Sequence, residues 1–504
     1  MAELTYESLV DDGNYLGSER ARMENQVILD ELERKKKARA MAVPTDDNRV
    51  KARLREIGEP ITLFGERAAD RRDRLIYVLS QINAARGDEG MPAVAESSEE
   101  ESEEEAEEFY TPGSLELLEA RRRIAEFSLP RAQKRIKQQR LDNQMELRRI
   151  VDIRKKVFTG VKKFMNMGSQ IGDERPVSQV RFAPNCEILA TGSWSGTVKL
   201  WSVPACTTIR ALRGHTDRVG GVAWHPQATL SLSPDAANLA SGAGDNNVNL
   251  WSLNSDSPLS VLQGHQGRVC RVAFHPSGDY VASASFDTSW RLWDVATSKE
   301  LLLQEGHSKE VYSVEFQNDG ALLASGGLDA IGRVWDLRTG RTAMVLDGHV
   351  QAVYSIGFSP NGYQIATGAG DDTIRIWDMR TLKALYTIPA HLSNVSDVRW
   401  FYADDLFFKP LPKSPDGDSR GESPERDDTD APYTYEEWRY SSGLFFASAG
   451  YDGLVKLWSA DDWQLLRTLT TDAGKVMSCD LSSDGRYLAS GTYNRNFQLF
   501  SPDS

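Results

Sequence analysis

The sequence predicts an all-β, seven-bladed propeller preceded by a helical, partly disordered N-terminal region, on three observations. From about residue 170 onward one pattern returns, and Trp251, Trp293, Trp335 and Trp377 fall 42 residues apart. Inside each unit, short runs alternate apolar and polar residues with period two, and Gly, Asn and Asp separate them, which reads as strands joined by turns. Seven such units can be found. A lone four-stranded sheet cannot bury both faces, whereas a ring of blades can, and it leaves only short edges.

The elements follow in chain order. Residues 1–42 begin MAELTYESLVDDGNY, which has no apolar signal core. They are expected to be a flexible or helical segment. Residues 43–83 are more patterned. Thr45 or Asp46 can cap a helix on which Val50, Leu54 and Ile57 fall at i, i+4 and i+7. Gly58 ends it, and Glu59-Pro60 holds an extended stretch displaying Ile61, Leu63 and Phe64. RRDRLIYVL then starts a second helix. Two short helices leave more apolar surface than they hide mutually. Two readings follow: a flap on the protein's own propeller, or a docking module that orders on a partner through these six apolar residues.

Residues 84–113 form an acidic linker with nine Glu between Glu96 and Glu108, expected to be disordered. Ser97, Ser98 and Ser102 stand among these acids and suit an acid-directed kinase. Residues 114–160 are a basic helical segment, with 13 Lys and Arg against six Asp and Glu over Ser114–Gly160. Its pattern predicts two helices broken at Leu129-Pro130, with Leu117, Leu118, Ile124 and Phe127 on one face. Leu141, Met145, Ile153 and Val157 share a face of the second. Arg121, Arg122 and Arg123 are candidate RNA-phosphate contacts, against the alternative of a solvated basic face.

Residues 162–504 make the propeller. The plainest copies are GHQGRVCRVAFHPSGDYVASASFDTSWRLWD, GHSKEVYSVEFQNDGALLASGGLDAIGRVWD and GHVQAVYSIGFSPNGYQIATGAGDDTIRIWD. GH at the start and WD at the end of each unit resemble the WD40 repeat. The last copy ends at Phe500, so its fourth strand is expected from residues 162–173, a closure that removes two free edges. The sixth copy is interrupted at about 402–442 by a polar, Pro-rich insertion expected to be disordered. Ser414-Pro415 and Ser423-Pro424 within it are weak phosphorylation signals.

The WD40 resemblance also assigns polar residues. It implies buried sets of His, Ser or Thr, Asp and Trp: His215, Ser241, Asp245 and Trp251; His265, Ser283, Asp287 and Trp293; His307, Ser325, Asp329 and Trp335. His349, Thr367, Asp371 and Trp377 form a fourth, and His391, Ser448, Asp452 and Trp458 a fifth. Ser195 and Asn494 replace the Asp in the first and last units, which should be weaker. An Asp–His–Ser set also invites a hydrolase reading. Five buried copies argue for packing instead, and no P-loop or HExxH motif occurs. No catalytic, metal or cofactor-binding residues are assigned.

Function is then expected on the surface. The residue before the turn Asp, or its substitute, is Trp194, Phe286, Tyr451 and Tyr493, and Tyr312 and Tyr354 share a second position. These rings are candidate protein anchors. They can equally stack RNA bases, or simply pack on the neighbouring blade.

VPTDDNRVKARLREIGEPITLFGE is similar to the splicing factor motif of pre-mRNA processing proteins. Followed by SQIGDERPVSQVRFAPN and ATGSWSGTVKLW, it resembles the pre-mRNA processing factor four family. That resemblance implies a nuclear, non-catalytic scaffold of the U4/U6 snRNP and the U4/U6.U5 tri-snRNP in pre-mRNA splicing. Its partners would be pre-mRNA processing factor three, a cyclophilin in many species and other tri-snRNP proteins, with U4/U6 snRNA a further candidate. The alternative is a WD40 adaptor or substrate receptor in another nuclear complex. Composition agrees with a large assembly: the 504-residue chain carries a net charge of -14, yet a basic arm adjoins the acidic run. Cys186, Cys206, Cys270 and Cys479 are too widely spaced for a zinc pattern and suggest reduced thiols. No apolar run approaches the ~20 residues of a membrane helix, so no membrane is expected, and the basic arm beside the acidic run suggests multi-protein surroundings rather than a small-molecule substrate.

Overall fold

The computed structural model describes residues 47–61, 66–86, 113–404, 434–471 and 474–502. The chain forms two compact units, Met1–Tyr110 and Thr111–Ser504.

In the first unit α1 spans Asp47–Glu56 and α2 spans Ala68–Arg86. Val50 and Leu54, one turn apart on α1, close against Leu75 of α2, and Ile57 and Leu79 pack beside them. Gly58 takes φ +82°, donates to the Arg55 carbonyl, and lets Glu59 N–H reach the Leu54 carbonyl. That is a left-handed helix stop, which suits glycine because no Cβ has to be accommodated. Arg71 pairs with Asp47, and Arg74 Nε donates to Glu66 at 2.7 Å, tying the two helices and their connection.

The second unit is a ring of seven four-stranded antiparallel sheets. The innermost strands are Val177–Phe182, Val219–Trp224, Val269–Phe274, Val311–Phe316, Val353–Phe358, Val395–Trp400 and Val476–Leu481. Each lies beside the innermost strand of the next blade, and the last lies beside the first. The blades are numbered 1 to 7 in that order. Blade 7 takes its outer strand from the other end of the ring sequence. Phe164–Ile171 pairs antiparallel with Asn496–Pro502, from Phe164 opposite Pro502 to Ile171 opposite Asn496. The closure expected from residues 162–173 is thus present, and Phe164 is buried with Phe401 and Phe500.

The helices before the ring depart from expectation in one respect. A single helix, α3, spans Leu115–Asp142 and contains Pro130. The break comes at 143–146, before α4 at Leu147–Lys162. Pro130 deprives the Glu126 carbonyl of its helical donor, a loss of ~3 kcal/mol in an ordinary helix interior. Both residues are exposed, so water can satisfy that carbonyl. Docking offsets the rest. Leu117, Ala120 and Ile124 are buried against blades 3 and 4. Arg135 donates to Asp319 at 2.8 Å and to the Asn361 carbonyl at 2.9 Å. Of the other residues assigned to that face, Leu118 is exposed and Phe127 is half-buried against the His275 ring. Helix α4 buries Ile153, Val157 and Val161 against blades 6 and 7, whereas Leu141 is exposed.

The insertion in blade 6 is also not structureless throughout. Its last part forms α5, Tyr435–Ser441, started by a capping box in which Thr434 and Glu437 bond each other's backbone N–H. Trp438 of α5 packs edge-on against Phe401. Residues 405–433, with Ser414 and Ser423, lie outside the described residues, as do the acidic run and residues 1–46.

Candidate interaction surface of the propeller

Five blades carry the buried polar set. In blade 3, His265 Nδ1 meets Asp287 at 2.7 Å and Nε2 meets Ser283 Oγ at 2.6 Å, while Trp293 Nε1 donates to that same Oγ at 2.8 Å. A carboxylate only accepts, so Nδ1 carries the proton. Ser283 therefore accepts from the indole and donates to Nε2, and every group is satisfied with a neutral imidazole. The sets of His215, His307, His349 and His391 repeat this arrangement. The geometry is that of a Ser–His–Asp triad, but the five hydroxyl residues are fully buried and each hydroxyl already accepts an indole N–H. Such a set joins loop to strand and presents no accessible nucleophile.

Blade 1 has no turn Asp. Asp173, from the stretch after the closing strand, takes its place, pairing with Lys199 at 3.0 Å and accepting from Thr197 at 2.8 Å. Burial opposes ionisation there, but bonds from Ser195, Ser193, Thr197 and Lys199 hold its carboxyl well below the ordinary range. In blade 7, Phe500 stands where the others have Trp, and the buried Ser490 hydroxyl has no partner among the described residues.

The remaining two histidines seal blade junctions. His275 Nδ1 accepts the Ser277 N–H at 3.1 Å, so the other nitrogen carries the proton and donates to the Gly320 carbonyl at 2.9 Å. A Cβ at residue 320 would collide with this ring. Burial lowers the His275 pKa to about 4. The unfolded chain takes up a proton below about 6.5 and the folded one only below about 4, so stability falls as pH drops through that interval. The cost is on the order of 3 kcal/mol at pH 4. His275→Gln, which cannot titrate, should flatten that part of the stability–pH curve in urea unfolding. An unchanged curve would show that the imidazole is not the group responsible.

Inner strands of adjacent blades are joined by side chains. Ser178 Oγ donates to the Val219 carbonyl at 2.6 Å, Ser396 Oγ to that of Val476 at 2.8 Å, and Trp400 Nε1 to that of Gly357 at 3.1 Å. At the centre Asp397 accepts from Ser478 at 2.8 Å and Ser355 at 3.1 Å and pairs with buried Arg181 at 3.3 Å. Arg399 pairs with Glu315 at 2.8 Å. Burial pushes the nearby Asp480 carboxyl up to about 6, against the pull of Arg181.

The rim aromatics fall into smaller groups. Trp194 meets Tyr493 edge-on at 5.7 Å, and Tyr312 meets Tyr354 at 5.3 Å. Arg268 lies 3.8 Å over Phe286, and Lys475 lies 5.4 Å from the Tyr451 ring. Tyr493 is 46% exposed and the other five are half-buried. Cations on this rim were legible, since Arg218, Arg268 and Lys475 each immediately precede the first-strand valine.

The other candidate residues are scattered. Val50 and Leu54 are buried within the helix pair, Ile57 and Ile61 are half-buried, and Leu63 and Phe64 lie outside the described residues. Arg121 rests against Gly340, Arg123 reaches toward Tyr280, and Arg122 is exposed.

Seven closed blades, five of them with an internally satisfied set of His, Asp, Ser or Thr and Trp, define a WD40-repeat propeller. The WD domain, G-beta repeat family matches residues 166–202, 206–252, 256–294, 298–336, 340–378 and 463–501. The three inner strands of the interrupted sixth blade fall outside these matches, and their pairing places the blade in the ring. Residues 50–78 match the family described as pre-mRNA processing factor 4 (PRP4) like. The U4/U6 small nuclear ribonucleoprotein Prp4 of Homo sapiens is 43% identical over 207 residues, 41% of this chain and 39% of that protein. The PRP4-like protein of Arabidopsis thaliana is 39% identical over 224 residues, 42% of this chain and 39% of its own. PRP4 of Saccharomyces cerevisiae is 31% identical over 195 residues, 37% of this chain and 40% of its own. The chain thus spans about two fifths of the length of the curated relatives it matches. The chain is thus similar to PRP4-like WD40 splicing proteins.

Proposed function

We propose that this protein is a non-catalytic scaffold of the U4/U6 snRNP and the U4/U6.U5 tri-snRNP, acting in the nucleus during pre-mRNA splicing. One observation carries the reading: a PRP4-like segment precedes a WD40 propeller, and relatives at 43% identity are named U4/U6 small nuclear ribonucleoproteins. The propeller is the rigid platform. Its rim aromatics Trp194, Phe286, Tyr312, Tyr354, Tyr451 and Tyr493 supply protein contacts, and pre-mRNA processing factor three, other tri-snRNP proteins and a cyclophilin are the partners the family suggests.

The α1–α2 pair is the docking module. Among its described residues Val50, Leu54 and Leu75 are the fully buried aliphatic ones, worth roughly 5 kcal/mol together by area. Ordering a few tens of residues costs more than that, so association with a partner completes its stability. Ile57, Ile61, Leu63 and Phe64 extend the docking surface, and exposed Arg122, with Arg121 and Arg123 beside it, supplies the RNA-phosphate contact.

The test is complementation. A nuclear extract depleted of the endogenous protein should lose splicing, and the full chain added back should restore it. Restored splicing is the expected result; an extract that splices normally without the protein would overturn the proposal.

A further inference from the structure

At the mouth of the central channel the inner strands of blades 2 and 3 begin beside a cavity of about 310 Å³. Three arginines line it: Arg218, Arg268 and Arg271. Each is held on an aromatic ring, Arg218 5.1 Å from Trp194, Arg268 3.8 Å from Phe286 and Arg271 5.7 Å from Tyr312. Arg271 is only 7% exposed and donates one guanidinium N–H to the Gly220 carbonyl at 2.8 Å.

The other channel arginines provide an internal comparison. Arg181 and Arg399 both have a carboxylate within 4 Å. None of the three at the mouth forms an ion pair with a described residue; Asp217 also lines the cavity, but its carboxylate accepts the backbone N–H of Arg218. Glu310 occupies the equivalent rim position on blade 4 without pairing with them. Three convergent, stacked guanidinium groups in a concave site favour an oxyanion, because each offers fixed forked donors.

The remainder of the rim indicates the kind of molecule that bears the anion. At the loop position following the blade histidine, blades 5 and 6 expose Val350 (81%) and Leu392 (89%). A nucleic acid backbone gains nothing from those two residues, whereas a polypeptide can place apolar side chains on them and an acidic one in the cavity.

We propose that this channel mouth is an oxyanion-binding pocket for a protein segment, taking one carboxylate or phosphomonoester side chain between Arg218, Arg268 and Arg271. The inference rests on the reading of this rim as a partner-binding face and names the chemistry it selects.

The experiment uses the full chain and three fluorescent probes of equal length: hexaglutamate, a glycine-rich peptide with a single phosphoserine, and hexauridylate. An acidic peptide should bind more tightly than hexauridylate, and the tighter of the two peptides identifies the anion. Arg218→Glu with Arg268→Glu, both exposed, should weaken it by about tenfold or more with an unmoved thermal midpoint. Lys383→Glu, exposed on the outer strand of blade 5, should leave binding unchanged. Binding of neither peptide, equal binding by the doubly reversed chain, or preference for hexauridylate would overturn the assignment. Should the peptides fail while the chain still restores splicing, only the pocket falls; failure of the chain to restore splicing removes the wider reading instead.

Discussion

Asp397→Ala is expected to be among the most damaging single substitutions in the propeller. Asp397 stands on the inner strand of blade 6 with a side chain only 3% exposed. It accepts hydroxyls from Ser355 of blade 5 and Ser478 of blade 7, and it is the carboxylate paired with buried Arg181 of blade 1. Its removal leaves a guanidinium in the channel wall without its countercharge, together with two serine hydroxyls deprived of an acceptor. Breaking a buried pair in this way costs about 3–5 kcal/mol, far more than the pair itself contributes over an apolar replacement. The distinguishing measurement is a double-mutant cycle in urea. Arg181→Met should cost less than Asp397→Ala, and the combination should recover part of the loss because no charge remains stranded. Strict additivity would mean that the two groups are not coupled and that the channel network is incidental to stability.

The second large effect concerns closure. A chain lacking residues 1–163 retains the strand Phe164–Ile171, and one lacking 1–171 does not. Both lose α3 and α4, so their difference isolates the strand. Without it blade 7 loses its outer partner, Phe500 loses the buried Phe164 ring, and the edge of Asn496–Pro502 is opened. An open edge is a template for aggregation, and burial of one large side chain alone is worth roughly 2–3 kcal/mol. The shorter chain should unfold at a midpoint lower by on the order of 10 °C and should self-associate. Equal midpoints and equally monomeric behaviour would contradict a role for the strand in sealing the ring.

Particular residues show how far the sequence reveals this molecule. The tryptophans spaced by 42 and the GH dipeptides announce the blades because every copy solves the same burial problem, and the His–Ser–Asp–Trp sets recur with them. The closing strand was legible because the last copy ends at Phe500. Pro130 misleads because local rules rate the lost helical bond without the propeller surface that holds Arg135 and Ile124 in place. Asp397 gave no local signal: its partners lie on three other blades, 42 to 216 residues away, and only the radius of the ring brings them together. Two of the channel-mouth arginines are legible by position, because Arg218 and Arg268 each directly precede a first-strand valine. Helix α5 was hidden in a polar insertion, although TYEEW contains the Thr and Glu of a capping box.

We propose that this propeller and its leading helices serve the U4/U6 particle through contacts alone. The most direct test is sequencing of the RNA recovered when the tagged full chain is purified from nuclear extract under native conditions. U4 and U6 snRNAs should be enriched together above all other small RNAs. Recovery of neither, with components of another nuclear complex in their place, would contradict it.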